Sequence, residues 1–113
     1  MAINYKNQGY DLTTTVLTTV LTISTSTVAI IKEISVANDD NSAHKVDYFF
    51  TDVSTSTSYK FYHTNVPADS HDNAVHNALI LEEGDYLQFQ ADTSNVISGQ
   101  ISYALLSRTG ENG

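Results

Sequence analysis

Two apolar segments with a polar cluster between them constrain the fold of this chain most strongly. The segments read TVAIIKEISVAN over residues 27–38 and HKVDYFFTDV over residues 44–53, and the cluster NDDNS occupies residues 38–42. β-branched and aromatic residues favour strands, whereas Asn, Asp and Ser favour turns. The same alternation continues to the C-terminus. The sequence therefore predicts an all-β fold: an antiparallel β-sandwich, jelly-roll or Ig-like, of seven to eight strands.

The size and composition of the chain predict one domain that is held together by its core. A chain of 113 residues is long enough to bury a single hydrophobic core. It contains no cysteine, which excludes a disulfide framework, thiolate metal ligands and a cysteine nucleophile. Hydrophobic packing is therefore expected to stabilise the fold.

The charge of the chain argues against nucleic acid as a partner. Thirteen acidic residues against five basic ones give a formal net charge of -8, and such a field repels phosphate backbones. The first residues, MAINYKNQ, lack the apolar core of a signal peptide, and no apolar run is long enough to cross a bilayer. We expect a soluble protein that is made in a cytoplasm and has no membrane partner.

The chain divides into three parts by pattern. Residues 1–11 show no sustained periodicity and predict an N-terminal arm or a short edge strand, residues 12–107 form the sandwich, and residues 108–113 form a flexible tail. Residues 12–23 carry apolar side chains at a spacing that also fits a helix face. Most of the twelve residues are β-branched Thr, Val or Ile, however, and this favours a strand.

The alternation within the body predicts which side chains share a face. Val28, Ile30, Ile34 and Val36 fall at period two and are expected together on one face. A hairpin over residues 46–64, a loop over 67–73 and strands over 75–81 and 86–91 follow. In the last strand, residues 96–107, the alternating side chains of Ile97, Ile101, Tyr103 and Leu105 are expected to share a face with Gly99.

Four histidines and several carboxylates are the candidate chemical groups. Two of the four histidines flank a loop that contains Asp69 and Asp72, and a His and carboxylate group of this kind could bind zinc or manganese. His63 precedes this loop, His71 lies within it, and His44 and His76 complete the set.

The spacing of these groups is weakly specific. Asp39, Asp40 and Asn41 could offer oxygen ligands to calcium, but they lack the alternation and the terminal glutamate of an EF-hand loop. A turn explains them more simply, and the prediction is that no metal or cofactor is bound.

No catalytic constellation is visible in the sequence. The serines and histidines are not accompanied by a GxSxG elbow, and there is no phosphate-binding glycine loop. Glu82 and Glu83 are adjacent, so in an extended strand their side chains point to opposite sides, which does not support paired acid and base roles. The chain is therefore not predicted to be an enzyme.

Aromatic side chains offer two interpretations. Sugar-binding sandwiches stack sugar rings on exposed aromatic rings, so a carbohydrate-binding module is one alternative. In the other, most aromatic residues fill the core, while Phe49 and Tyr62 cover an outer sheet face or contact another subunit.

Five segments that span most of the chain carry a resemblance. They are MAINYK, the threonine-rich residues 12–23, IKEISVANDDNSAHKVDYFF, NVPAD and LILEEGDYLQFQADTSNVISGQISYALL. Together they resemble small virion structural proteins of bacteriophages. The resemblance implies a β-sandwich in the virion, either as a capsid decoration (cement) protein or as a tail, neck or fibre component. It implies no catalytic residues.

We expect a decoration protein that bridges capsomers. Its partner would be the major capsid protein or another virion protein, and a homo-oligomer such as a trimer is expected. The side chains expected at the interface are Ile3, Tyr5, Tyr10, Phe49 and Tyr62.

Overall fold

The computed structural model describes residues 2–75 and 78–107. Nine strands are present in these residues: β1 (Ala2–Leu12), β2 (Thr18–Thr22), β3 (Thr27–Asn38), β4 (His44–Asp52), β5 (Thr57–Val66), β6 (His71–Asn73), β7 (Leu79–Leu81), β8 (Tyr86–Ala91) and β9 (Ile97–Ser107). None of the described residues forms a helix that could cross a bilayer. His76 and the expected tail over residues 108–113 lie outside the described residues.

The strands form two antiparallel sheets that pack face to face. Sheet A has the order β1-β9-β3-β6, with β7 also paired to β3, and sheet B has the order β2-β8-β4-β5. The pairs are nested: β4 pairs with β5, β3 with β6 and β7, β2 with β8, and β1 with β9. A long hairpin rolled into two sheets gives this nesting, which is the jelly-roll form of the sandwich. The predicted all-β sandwich is confirmed.

The core lies between the inner faces of the two sheets. Tyr48, Phe89, Ile31, Ile34 and Ile101 are among its fully buried side chains, and burial of each such side chain contributes roughly 1.5–3 kcal/mol. The predicted alternation holds in β8, where Leu87, Phe89 and Ala91 are buried, and in β9, where Ile97, Ile101 and Tyr103 are buried. These two strands therefore supply much of the core, one from each sheet.

A bulge in β3 overturns the predicted face of that strand. Ile31 is opposite Tyr103 and Glu33 is opposite Ser102, so Lys32 is an extra residue. An extra residue reverses which side chains point inward. Ile34 and Val36 point inward together with Ala29 and Ile31, whereas Val28 and Ile30 point outward. The prediction that Val28, Ile30, Ile34 and Val36 share one face was therefore wrong.

Four segments also differ from the expectation. Of the two alternatives for residues 1–11, the structure shows an edge strand over Ala2–Leu12, which is long instead of short. Residues 12–23 are not one strand, because Leu12 ends β1 and only Thr18–Thr22 form β2. The expected loop over residues 67–73 contains β6. In the described part of the expected strand over 75–81, which is residues 75 and 78–81, only Leu79–Leu81 form a strand, β7.

Candidate interface

The outer face of sheet A carries a cluster of apolar side chains at one end. In one row Ile3, Leu106 and Val28 lie side by side on β1, β9 and β3. In the next row Tyr5, Ala104, Ile30 and Ile80 cross β1, β9, β3 and β7. We call these seven residues the apolar strip. It crosses four neighbouring strands without a polar residue between them.

The outermost residues of the apolar strip are exposed to solvent, whereas Ala104 in its middle is buried. Tyr5 is 78% exposed on the β1 side, and Ile80 is 52% exposed on the β7 side. Ala104, between them, is only 3% exposed. Contiguous exposed apolar surface on a soluble domain marks an interaction site, whereas single exposed apolar residues are ordinary. Val28, Ile30 and Leu106 are partly exposed, so the strip forms one apolar surface that only the small, buried Ala104 interrupts.

The rest of the same sheet face is polar. The row that follows the strip consists of Asn7, Ser102 and Glu33, and at the far end of the sheet Asp11 lies opposite Ser98. Side chains that served only to cover the sheet would not have to be apolar at one end of the face and polar at the other end. The change along the face therefore defines a bounded surface.

The predicted interface residues do not lie on one surface. Ile3 and Tyr5 belong to the apolar strip. Tyr10 is 7% exposed and lies in the core, where its hydroxyl donates a hydrogen bond of 2.5 Å to the Ser35 carbonyl. Burial raises the pKa of Tyr10. Tyr10 is therefore not available to a partner, because β1 turns this side chain toward sheet B.

Phe49 and Tyr62 lie on opposite faces of sheet B. A bulge at Phe61 shifts the register, so Tyr62 is opposite Tyr48 on the inner side and the two ring centroids are 5.7 Å apart. The Tyr62 hydroxyl donates to an Asp72 carboxylate oxygen at 3.0 Å. Burial, followed by the Asp72 carboxylate, raises the pKa of Tyr62. The prediction that Tyr62 accompanies Phe49 on an outer face was wrong.

Sheet B has one polar and one partly aromatic depression along β5. The first, of about 470 Å³, is lined by Lys45, Asp47, His63, Thr64 and Asn65. The second, of about 320 Å³, is lined by Lys60, Phe61, Tyr62 and His63. Phe61 and Tyr62 also pack against the core and are only partly exposed, so these depressions offer no pair of fully exposed rings on which a sugar could stack.

Asp72 closes one end of the sandwich. It lies on β6 in sheet A, and its Oδ2 accepts hydrogen bonds from Tyr62 and, at 2.7 Å, from the Thr64 hydroxyl of β5 in sheet B. Its Oδ1 accepts the Asn73 amide hydrogen. The carboxylate that the sequence suggested as a metal ligand is therefore part of a contact between the two sheets.

His44 connects two loops through hydrogen bonds to their carboxylates. Its Nε2 lies 2.6 Å from Asp40 Oδ2, and its Nδ1 lies 3.0 Å from Asp92 Oδ1. Asp92 also accepts the Lys45 amide hydrogen. The hydrogen bond to Asp40 is the main cause that raises the pKa of His44, and the same bond is the main cause that lowers the pKa of Asp40.

The carboxylates of the described residues meet in one possible cation cluster, formed by Asp52, Glu82 and Asp85. Asp85 is 4% exposed, and its two carboxylate oxygens accept the amide hydrogens of Val53 and Glu82 at 3.1 and 2.9 Å. These two hydrogen bonds satisfy the buried Asp85 carboxylate, so its burial requires no bound ion. Neither His63 with His71 nor the Asp39 and Asp40 turn forms such a cluster in the described part of the chain.

Sequence comparison assigns no family, while structural comparison finds shared architecture. No protein-family model matches the chain, and no curated protein matches it. A chain in the acidic stable capsid structure of Helicobacter pylori bacteriophage KHP30 has a TM-score of 0.59 at 10% identity, over 96% of this chain and 90% of that chain.

Two further solved structures match most of both chains. A chain of the Bacillus endospore appendages, a family of disulfide-linked pili, has a TM-score of 0.51 at 12% identity, over 91% of this chain and 85% of that one. The Drosophila NLP core, studied for pentamer formation and histone binding, has a TM-score of 0.52 at 12% identity, over 91% and 98%. At such identities the likeness shows the fold alone. Proteins of a phage capsid and of pili are among those that share it.

Proposed function

We propose that this chain is a structural protein of a bacteriophage virion that decorates the outside of the capsid and binds the shell through the apolar strip. The strip is the observation that carries the proposal, because it is a bounded apolar surface on a domain with a net charge of -8. Binding of the strip to a capsid subunit would remove Tyr5, Ile3 and Ile80 from water. Burial of each contributes roughly 1.5–3 kcal/mol before the costs of association.

The charge of the chain supports a position outside the shell. Packaged nucleic acid is a dense array of phosphates, and an acidic surface next to it would be repelled. The outer surface of a shell imposes no such cost. The fold itself is compatible with this role, since a phage capsid chain shares it over nearly its whole length.

A shell also multiplies a weak contact. A decoration protein repeats the same contact at each equivalent position of a closed symmetric assembly, so the docking surface can be small. Where one copy touches two neighbouring capsomers, the second contact forms at a high effective concentration. A strip that crosses four strands is suited to bridge two such neighbours.

The experiment is addition of purified chain to shells that lack it, followed by electron microscopy and quantitation of the bound copies. We expect Tyr5→Ser combined with Ile80→Ser to lower shell affinity at least tenfold, because each substitution removes more than about 1.4 kcal/mol of apolar burial. Val16→Ser is the matched control. Val16 is 63% exposed and lies beyond the opposite end of β1 from Ile3.

Three outcomes would contradict the proposal. Full occupancy by the double variant would exclude the strip as the docking surface. Density inside the shell would exclude decoration. A few copies at one vertex would indicate a tail, neck or fibre component instead of a decoration protein.

A further inference from the structure

We propose that two copies of this chain pair antiparallel through the free edge of β1, around a two-fold axis at Asn7, so that their two sheets A become one continuous sheet. This pairing is a property of the chain in solution. Tyr5 takes part in it as well as in the proposed shell contact, so variants at Asn7, which lies outside the apolar strip, test the pairing. It differs from the trimer that the sequence suggested, because a two-fold contact needs only one self-complementary surface.

The edge of β1 is long and unprotected. β1 pairs with β9 over eleven residues without a register shift, and within the described residues no strand lies on its other side. At about 3.3 Å per residue the edge is roughly 36 Å long. Natural edge strands are usually short, or interrupted by proline, bulges or charges. β1 contains no proline and no bulge, and Lys6 and Asp11 are its only charged residues.

Gly9 shows where a second chain would approach. Glycine weakens a strand and commonly marks a bulge or the close approach of another backbone. There is no bulge at Gly9, and a Cβ atom added there would meet only the Gly99 carbonyl oxygen, at 3.9 Å. Nothing within one copy therefore requires glycine at this exposed position. A side chain from outside that lies over the glycine would account for it.

Pairing around Asn7 places such a side chain over Gly9. In an antiparallel pair centred on Asn7, Tyr5 of one copy lies opposite Gly9 of the other, and both positions are on the outer face. An aromatic side chain across from a glycine on a neighbouring strand is a known way to stabilise that pair. Lys6 lies opposite Gln8. A pair centred on Lys6 would instead place two ammonium groups opposite each other, which is destabilising.

Charge and symmetry both favour a second copy as the partner. The charges of Lys6 and Asp11 cancel, so β1 is neutral in a chain of net charge -8, and two copies meet there with little repulsion. The two-fold axis is perpendicular to the sheet, which keeps both outer faces on the same side. The two apolar strips, each beginning at Ile3 and Tyr5 on β1, then lie on one surface of the paired molecule.

A single cysteine at the axis tests the pairing. The chain has no cysteine, and opposed residues of an antiparallel pair have Cα atoms about 4.5–5.5 Å apart, within the range of a disulfide. We expect Asn7→Cys to form a disulfide-linked dimer under mild oxidation and the native chain to sediment at twice 12.4 kDa. Ala37→Cys is the control, since Ala37 is exposed on the same face but lies on β3, two strands from the edge.

A charge exchange at the same position tests the register. Asn7→Lys and Asn7→Glu each place like charges across the axis, so each variant alone should dissociate several-fold more readily than the native chain. Their mixture should form heterodimers at least as stable as the native pair. A native chain that is monomeric at about 100 μM or trimeric, equal cross-linking of Ala37→Cys, or no preference for the mixed pair would each overturn the inference.

Discussion

Replacement of Gly99 by alanine should destabilise this protein more than any other small change on β9. Gly99 lies on the inner face of sheet A, opposite Tyr10 on β1 and Val36 on β3. A Cβ atom there would be 2.0 Å from the Ser35 carbonyl oxygen and 2.7 Å from the Tyr10 hydroxyl oxygen. Ordinary contact begins at 3.4 Å, so either the two strands or the tyrosine must move.

The expected cost follows from what must move. Forcing an extra methyl group into a packed site costs about 1–3 kcal/mol. Displacement of Tyr10 also breaks its 2.5 Å hydrogen bond to Ser35, worth roughly 1 kcal/mol. Loss of glycine freedom in the unfolded chain returns about 0.5–1 kcal/mol. The net loss is about 1–3.5 kcal/mol, which corresponds to a fall in Tm of roughly 4–15 °C.

Urea unfolding, monitored by tyrosine fluorescence, measures this loss. Gly9→Ala is the matched control, because Gly9 is on the adjacent strand and a Cβ atom there makes only one ordinary contact, 3.9 Å from the Gly99 carbonyl oxygen. It should change the free energy of unfolding by no more than about +0.5 to +1 kcal/mol in the stabilising direction. Chain concentrations below 1 μM would keep self-association out of the comparison. A Gly99→Ala variant within about 0.5 kcal/mol of the native chain would refute the packing described for Tyr10.

Three further predictions concern the core, the contact between the sheets, and pH. Phe89→Ala should cost about 3–5 kcal/mol in urea unfolding, because Phe89 is fully buried against two tyrosine rings; a loss below 1 kcal/mol would contradict that packing. Asp72→Ala should cost about 2–3 kcal/mol by the same assay, since two hydroxyl donors lose a charged acceptor, whereas a neutral result would mean that the sheets do not depend on it. Because the pKa of His44 is raised, its contribution to stability is complete below about pH 6.5 and is lost as pH rises through the pKa of His44 in the folded chain. Because the pKa of Asp40 is lowered, its contribution is lost as pH falls through the pKa of Asp40 in the folded chain. The difference in Tm between the native chain and His44→Gln should therefore be largest at mildly acidic pH, where His44 is protonated and Asp40 ionised, and shrink as pH rises through the folded pKa of His44; a difference that does not vary with pH would contradict the ion pair.

The architecture could be predicted from the sequence because its signals are local. Turn residues at 38–42 and 82–85 separate segments of β-forming residues, and regular alternation runs from Leu87 to Ala91 in β8 and from Ile97 to Tyr103 in β9. In these stretches the apolar residues occupy one parity, so period two identifies the buried face. The sandwich and the core from these strands follow directly.

The faces of β3 and β5 could not be read in the same way. In the segment TVAIIKEISVAN apolar residues occupy both parities, so the sequence fits either face equally well up to Ile31. The bulge at Lys32 selects one of them. In β5 the aromatic residues Tyr59, Phe61 and Tyr62 also occupy both parities, and the bulge at Phe61 turns Tyr62 inward. A register shift is a property of two paired strands, and a single sequence contains no direct record of it.

The bulge in β3 decides which side chains of that strand belong to the candidate interface. A regular β3 with Ile34 and Val36 inward would also turn Val28 and Ile30 inward, and Ala29 and Ile31 would then face outward. Because Lys32 is inserted, Val28 and Ile30 face outward instead, and after the bulge the outward side chains are those of Glu33, Ser35 and the small Ala37. Ile3, Tyr5, Ile80 and Leu106 on the neighbouring strands are apolar at that same end and nowhere else on the face. Side chains from four strands thus form one outward apolar surface, which the core of a single copy does not require. The docked partner proposed above would account for it.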